Sequence, residues 1–135
     1  MAIQLGVTVR NNRLDSIETT VGTAAKLKVF TGSQPANCAA ADSGTVLATL
    51  TLPSDWMSAA SGGVKSLLGT WQDTSADATG TAAHFRIYDN AETTCHLQGS
   101  VTATGGGGDI TVDNVSFATG QQFTITAFSL TDANA

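Results

Sequence analysis

Apolar and polar positions change period once along this chain, and the change divides it. Over residues 7–21, Leu14, Ile17 and Val21 recur at intervals of three and four, which makes one apolar stripe on a helix. Arg10, Arg13, Asp15 and Glu18 fall largely off that stripe, and Gly22 offers the left-handed stop that ends helices. A helix this short needs packing to persist. After Gly22 the period becomes two. Lys26 to Phe30 alternates, with Leu27 and Val29 inward, and Thr31 to Pro35 turns the chain. Residues 36–44 are a loop of small side chains. Thr45 to Leu52 then sets Val46, Ala48, Leu50 and Leu52 on one face and Thr45, Thr49 and Thr51 on the other, and Pro53 closes the strand.

The same reading continues to the C-terminus. Ser54 and Asp55 can cap a single helical turn before Trp56 and Met57. Val64 to Trp71 reads as a strand with Leu67 or Leu68 buried, and 73–80 as a turn-rich loop. Thr81 to Tyr88 places Phe85 and Ile87 opposite His84, Arg86 and Tyr88. It returns through Asp89-Asn90 into a strand over 93–101, a hairpin. Gly105–Gly108 reads as a flexible or tight hairpin loop. Ile110 and Val112 share a face, Val115–Phe117 follows, and Gln121 to Leu130 is the last strand. There Phe123, Ile125 and Ala127 face one way, Phe128 and Leu130 the other, and a bulge near Ala127 would turn both sets inward. The pattern predicts a mainly β chain: a single sandwich or barrel-like domain of about seven to eight antiparallel strands over 23–135. A short N-terminal helix or arm over 1–22 precedes it.

Composition adds little to this except through charge. The 135 residues fit one domain, and 13% are charged. Residues 1–28 carry Arg10, Arg13, Lys26 and Lys28 against Asp15 and Glu18, while the remainder carries Lys65 and Arg86 against the other acids, for a net −5 overall. A basic leading segment on an acidic body suggests an electrostatic latch onto a neighbour or another copy. The acidic body is unsuited to a phosphate backbone, so nucleic acid is not an expected partner. No stretch approaches the run of roughly 18 apolar residues a membrane span needs, and the first residues lack the pattern of a signal peptide. A cytoplasmic origin is expected, in which thiols stay reduced by default.

Candidate chemistry is sparse. Cys95 and His96 are adjacent, so on a strand they point to opposite faces, and neither joins His84 or Cys38 in a metal-ligand spacing. There is no nucleophile elbow, and His84 has Arg86 rather than a carboxylate beside it. Asp73, Asp77, Asp89, Glu92, Asp109 and Asp113 sit in or beside turns, where Asp bonds the following backbone. The glycine run lacks the Lys and Ser/Thr of a phosphate loop. No catalytic residue, metal or cofactor is expected. Trp56, Trp71 and Phe128 are candidate interface aromatics, and Trp56, Trp71 and Tyr88 a weaker candidate for stacking on sugars. Cys38 and Cys95 can form one disulfide or remain two thiols.

The segments Val9–Glu18, Leu27–Ala36 and Asp42–Leu50 resemble small virion-associated proteins of tailed bacteriophages, as do Ala78–Asp89 and Asp109–Asn114 with the final aromatic strand. The likeness runs from about residue 9 to about residue 130, and its motifs are structural. It implies a capsid decoration (cement) protein: a homotrimer-forming β-domain that binds the outer face of the major capsid protein and bridges capsomers. Made in the bacterial cytoplasm, it would end on the virion surface. On that reading Arg10, Arg13, Leu14, Ile17, Lys26 and Lys28 of the arm attach to the shell, and a body lacking residues 1–21 is expected to fold but bind poorly. The alternative is a tail or fibre component that binds host glycan, with Trp56, Trp71 or Tyr88 exposed.

Overall fold

The computed structural model describes residues 3–134; positions 1, 2 and 135, the outer ends of the two expected segments, lie outside them. The chain forms helix α1 (Val7–Val21), then β1 (Lys26–Phe30), β2 (Val46–Thr51), β3 (Val64–Ser66), β4 (Trp71–Asp73) and β5 (Gly80–Thr81). It continues through β6 (His84–Tyr88), β7 (Cys95–Ala103), β8 (Ile110–Val112), β9 (Ser116–Phe117), β10 (Phe123–Ile125) and β11 (Ser129–Thr131). Strands β2, β1, β6, β7 and β8 make a five-stranded sheet in that order, and three two-stranded ribbons accompany it: β10 with β4, β11 with β3, β5 with β9. The molecule is mainly β with one helix at its start, as the change of period predicts.

Strand β1 lies between two antiparallel neighbours because its alternation fits both. Leu27 stands opposite Leu50 and Ile87, and Val29 opposite Ala48 and Phe85. These side chains are all buried, with Trp56, Trp71, Ile125 and Phe128 packed into the same core. Trp71 lies 5.8 Å from Trp56 and 5.4 Å from Phe128, ring centre to ring centre, and Phe128 meets Phe85 edge-on at 5.9 Å. The indoles keep their polar edges satisfied: Trp71 Nε1 donates to the carbonyls of Trp56 and Leu68, and Trp56 Nε1 to that of Gly22.

Three expectations need correction. The strand over 64–71 divides at Gly69, which has φ +74°, and a Cβ there would stand 2.8 Å from Pro53 Cγ. Its halves pair with different partners, β3 with β11 and β4 with β10. Residues 121–130 divide likewise, and the break after Ile125 lets Phe123, Ile125 and Phe128 all reach the interior. The strands are therefore more numerous and shorter than the pattern suggests, because apolar side chains recur on both sides of each break.

The third correction concerns direction. Strand β8 runs parallel to β7, with Val101 opposite Ile110 and Ala103 opposite Val112. Parallel neighbours ordinarily need a crossover of roughly a dozen residues or more. Here residues 104–109 double back directly over Thr102. A Cβ at Gly106 would fall 2.7 Å from Thr102 Cβ, and Gly108 N–H donates to Thr102 Oγ1 at 3.0 Å. The glycine run is thus a folded return, not a hairpin loop, and the sheet is mixed.

Candidate functional site

Two polar clusters join distant segments. The first is the seam between α1 and the loop 54–63. Asp15 and Glu18, one turn apart on α1, face that loop. Glu18 Oε1 accepts the N–H groups of Trp56 (2.8 Å) and Met57 (3.0 Å), and Asp15 Oδ1 accepts that of Ala60 (2.9 Å). Lys65 of β3, only 3% exposed, donates to Asp15 at 2.8 Å, Glu18 Oε2 at 3.0 Å and Ser58 O at 3.0 Å. Burial by itself would lower the Lys65 pKa, but its two carboxylate partners outweigh that and raise it; Lys65 in turn holds Asp15 below its ordinary value. An open groove of about 560 Å³ runs along this seam, lined by Asp15, Glu18, Asp55 and Lys65 among others.

The second cluster lies on the far face of β6. Alternation leaves His84, Arg86 and Tyr88 on the face opposite Phe85 and Ile87, yet the entire strand is buried. The loop 36–44 is folded across that face as a strap. Arg86, 1% exposed, pairs with Asp42, and its Nη2 donates to the carbonyls of Cys38 (2.8 Å) and Ala40 (3.0 Å). The Tyr88 hydroxyl donates to the same Asp42 carboxylate. Burial, then Asp42, pushes the tyrosine's ionisation up from its ordinary value. At the other end of the face His84 stacks on Phe30 at 5.0 Å, with its Nδ1 2.9 Å from Gly32 O. Gln98, opposite Arg86 on β7, donates to Pro35 O at 2.8 Å and so pins the start of the strap.

Cys38 of the strap and Cys95 of β7 are free thiols, both half-buried. The Cys95 thiol donates to Leu97 O at 3.3 Å. Burial, then Cys38, pushes Cys95 up to about 11 against the opposing pull of Arg86.

The residues expected to attach a partner are largely engaged within the molecule. Arg10 Nη1 donates to Asp132 O at 3.0 Å, and Arg13 pairs with the Asp132 carboxylate at 3.2 Å. Leu14 is buried and Ile17 packs on the core. Lys26 donates to Thr51 Oγ1 at 2.7 Å, and Lys28 pairs with Glu92 at 3.2 Å while lying over the Tyr88 ring. Each of the six cations therefore has an internal partner. Helix α1 packs as part of the body: its carboxylates accept backbone N–H groups of another loop. Trp56 and Trp71 have no exposed surface, and Phe128 (7%) and Tyr88 (6%) little more. They pack the core, which corrects their reading as interface or sugar-stacking aromatics.

Sequence reasoning missed Lys65 and Asp42. The signal for Asp42 was present, because it is the sole charged residue between Lys28 and Asp55. Lys65 carried none, since a lysine between Val64 and Ser66 reads as a solvated strand position. Exposed apolar side chains gather at the start of the chain, at Ile3 (86%), Val7 (47%) and Val9 (48%). Among the described residues, no group of three or more His, Cys, Asp and Glu is placed to hold a metal ion, and no helix is long and apolar enough to cross a membrane. No family model, curated protein or solved structure matches the chain.

Proposed function

We propose that this chain is a structural component of a tailed-phage virion, a capsid decoration protein that binds the outer face of the major capsid protein, self-associates as a homotrimer and bridges capsomers. The observation that carries the reading is the engagement of its charged side chains. Both clusters spend their charges on tying a helix and a strap to the sheet, a use suited to a rigid adaptor. The resemblance of the residue 9–130 segments to phage virion proteins supplies the particle, and the sandwich-like or barrel-like closure of sheet and ribbons belongs to the same proposal. Attachment is assigned to the helix start, where Ile3, Val7 and Val9 offer apolar surface to the shell. Many copies acting together need only a modest contact each. The glycan-binding alternative gains no support, because the aromatics it would use are buried.

The test is a comparison of particles with and without the chain, together with a cryo-electron map of the complete particle. Density on the capsid exterior, and earlier rupture of depleted particles on heating or at low ionic strength, is the expected result. Equal resistance of the two particles, or density on the tail, would refute it. Val7→Asp combined with Val9→Asp should leave the monomer folded and lower its occupancy on depleted shells at least tenfold.

A further inference from the structure

We propose that Cys38 and Cys95 are an oxidisable pair that closes into an intramolecular disulfide, locking the strap over Arg86 when the protein meets an oxidising environment. The fold brings the pair together by two independent devices. The first is a register shift between Ile87 and Tyr88: Leu97 stands opposite Ile87, but Cys95, not His96, stands opposite Tyr88. That irregularity moves Cys95 onto the face of Arg86 and Tyr88, under the strap. The second is Arg86. Its Nη2 holds the Cys38 carbonyl at 2.8 Å, over the face that Cys95 joins opposite Tyr88. Cys38 and Cys95 are thereby both set against the Arg86–Tyr88 face of β6, one from the strap above it and one from the neighbouring strand. The strap is tied to the sheet on both sides of Cys38, by Gln98 on Pro35 O at 2.8 Å and by Arg86 on Ala40 O at 3.0 Å and on Asp42.

The oxidant is a low-molecular-weight disulfide of the glutathione type. One cysteine thiolate attacks a sulfur of oxidised glutathione, breaking its S–S bond and releasing one reduced glutathione. The second thiolate then displaces the bound glutathione, forming the Cys38–Cys95 bond. Two protein thiols are oxidised, and one glutathione disulfide is reduced to two thiols that take up the two protons. The cross-link restricts the unfolded chain over the long segment between residues 38 and 95, so the thermal midpoint should rise by about 10 °C.

The experiment takes the full chain, fully reduced, and incubates it with excess oxidised glutathione. The expected result is loss of two hydrogens from the intact mass, one non-reduced peptide joining Cys38 to Cys95, and the rise in midpoint, all reversed by dithiothreitol. Cys38→Ser and Cys95→Ser, close in size to cysteine, should melt like the reduced protein and show no shift with oxidant. Thiols that stay free, glutathione adducts that persist on both cysteines, or disulfide-linked dimers would each overturn the proposal.

Discussion

The seam at Lys65 makes an asymmetric prediction. Glu18→Ala removes the acceptor of two backbone N–H groups, those of Trp56 and Met57, and one of two carboxylates from a lysine that is 3% exposed. Each part-buried N–H left without a partner costs about 1 kcal/mol, and weakening the ion pair adds about 1 kcal/mol more. Asp15 remains on Lys65, so the sum stays near 3 kcal/mol, a large share of the roughly 5–15 kcal/mol that holds a domain folded. Lys65→Met behaves differently. It removes the same ion pairs, but it also removes the desolvation of a buried ammonium, and it leaves the carboxylates still bonded to the Trp56, Met57 and Ala60 N–H groups. It also leaves the Asp15 and Glu18 carboxylates one turn apart without a cation, so its expected cost is about 1–2 kcal/mol, still below that of Glu18→Ala. Urea unfolding followed by tryptophan fluorescence reads both variants, with Trp56 reporting at the seam itself. The reasoning fails if Lys65→Met costs as much as Glu18→Ala, or if Glu18→Ala costs less than about 1 kcal/mol. Glu18→Gln, which keeps an acceptor oxygen but loses the charge, should fall between them.

Asp42→Ala should destabilise by about 2–4 kcal/mol, because it leaves the Arg86 guanidinium and the Tyr88 hydroxyl buried without their carboxylate; limited proteolysis should then cut within residues 36–44. Tyr88 is the single tyrosine, so ultraviolet titration isolates it: it should ionise well above 10.0 in the native chain and closer to it in Asp42→Ala, burial keeping part of the shift. On the acid side, Asp15 is lowered by Lys65, Asp89 by the Thr93 hydroxyl and Asp109 by the Ser100 N–H. Their contribution is present above the unfolded value of 3.8 and is lost as pH falls through the lower folded values, so the urea midpoint should drop below about pH 4. Asp109→Asn should show a shallower drop than the native chain. Gly106→Ala should destabilise by about 1–3 kcal/mol through its clash with Thr102 Cβ and Oγ1, and Thr102→Gly, which removes both atoms, should recover part of that loss in the double variant; additive costs would refute the contact.

The parts of this fold visible in the sequence are those set by local periodicity. The helix over Val7–Val21, the β1 and β2 strands and the β6–β7 hairpin each follow from spacings that span few residues. The division of the later strands was not visible, since apolar side chains recur on both sides of each break, Leu68 and Trp71 about Gly69 and Ile125 and Phe128 about Thr126. The parallel return at 104–109 was hidden for a related reason: a glycine run permits many paths, and its course is set by the fit over Thr102.

By itself the sequence determined the β character, the one helix, the low charge and the small-residue strap. The destination of the charged groups was decided only in three dimensions. Arg10 and Arg13 read as a free basic patch until Asp132, near the far end of the chain, arrives beside them. Lys65 reads as solvated until α1 covers it with two carboxylates. Cys38 and Cys95 read as one disulfide or two thiols until a register shift and the strap set both against the same face of β6. Periodicity fixes which way a side chain points from its own element. What stands opposite depends on packing between segments far apart in the chain, and a buried charge is tolerated only where that packing brings it a partner.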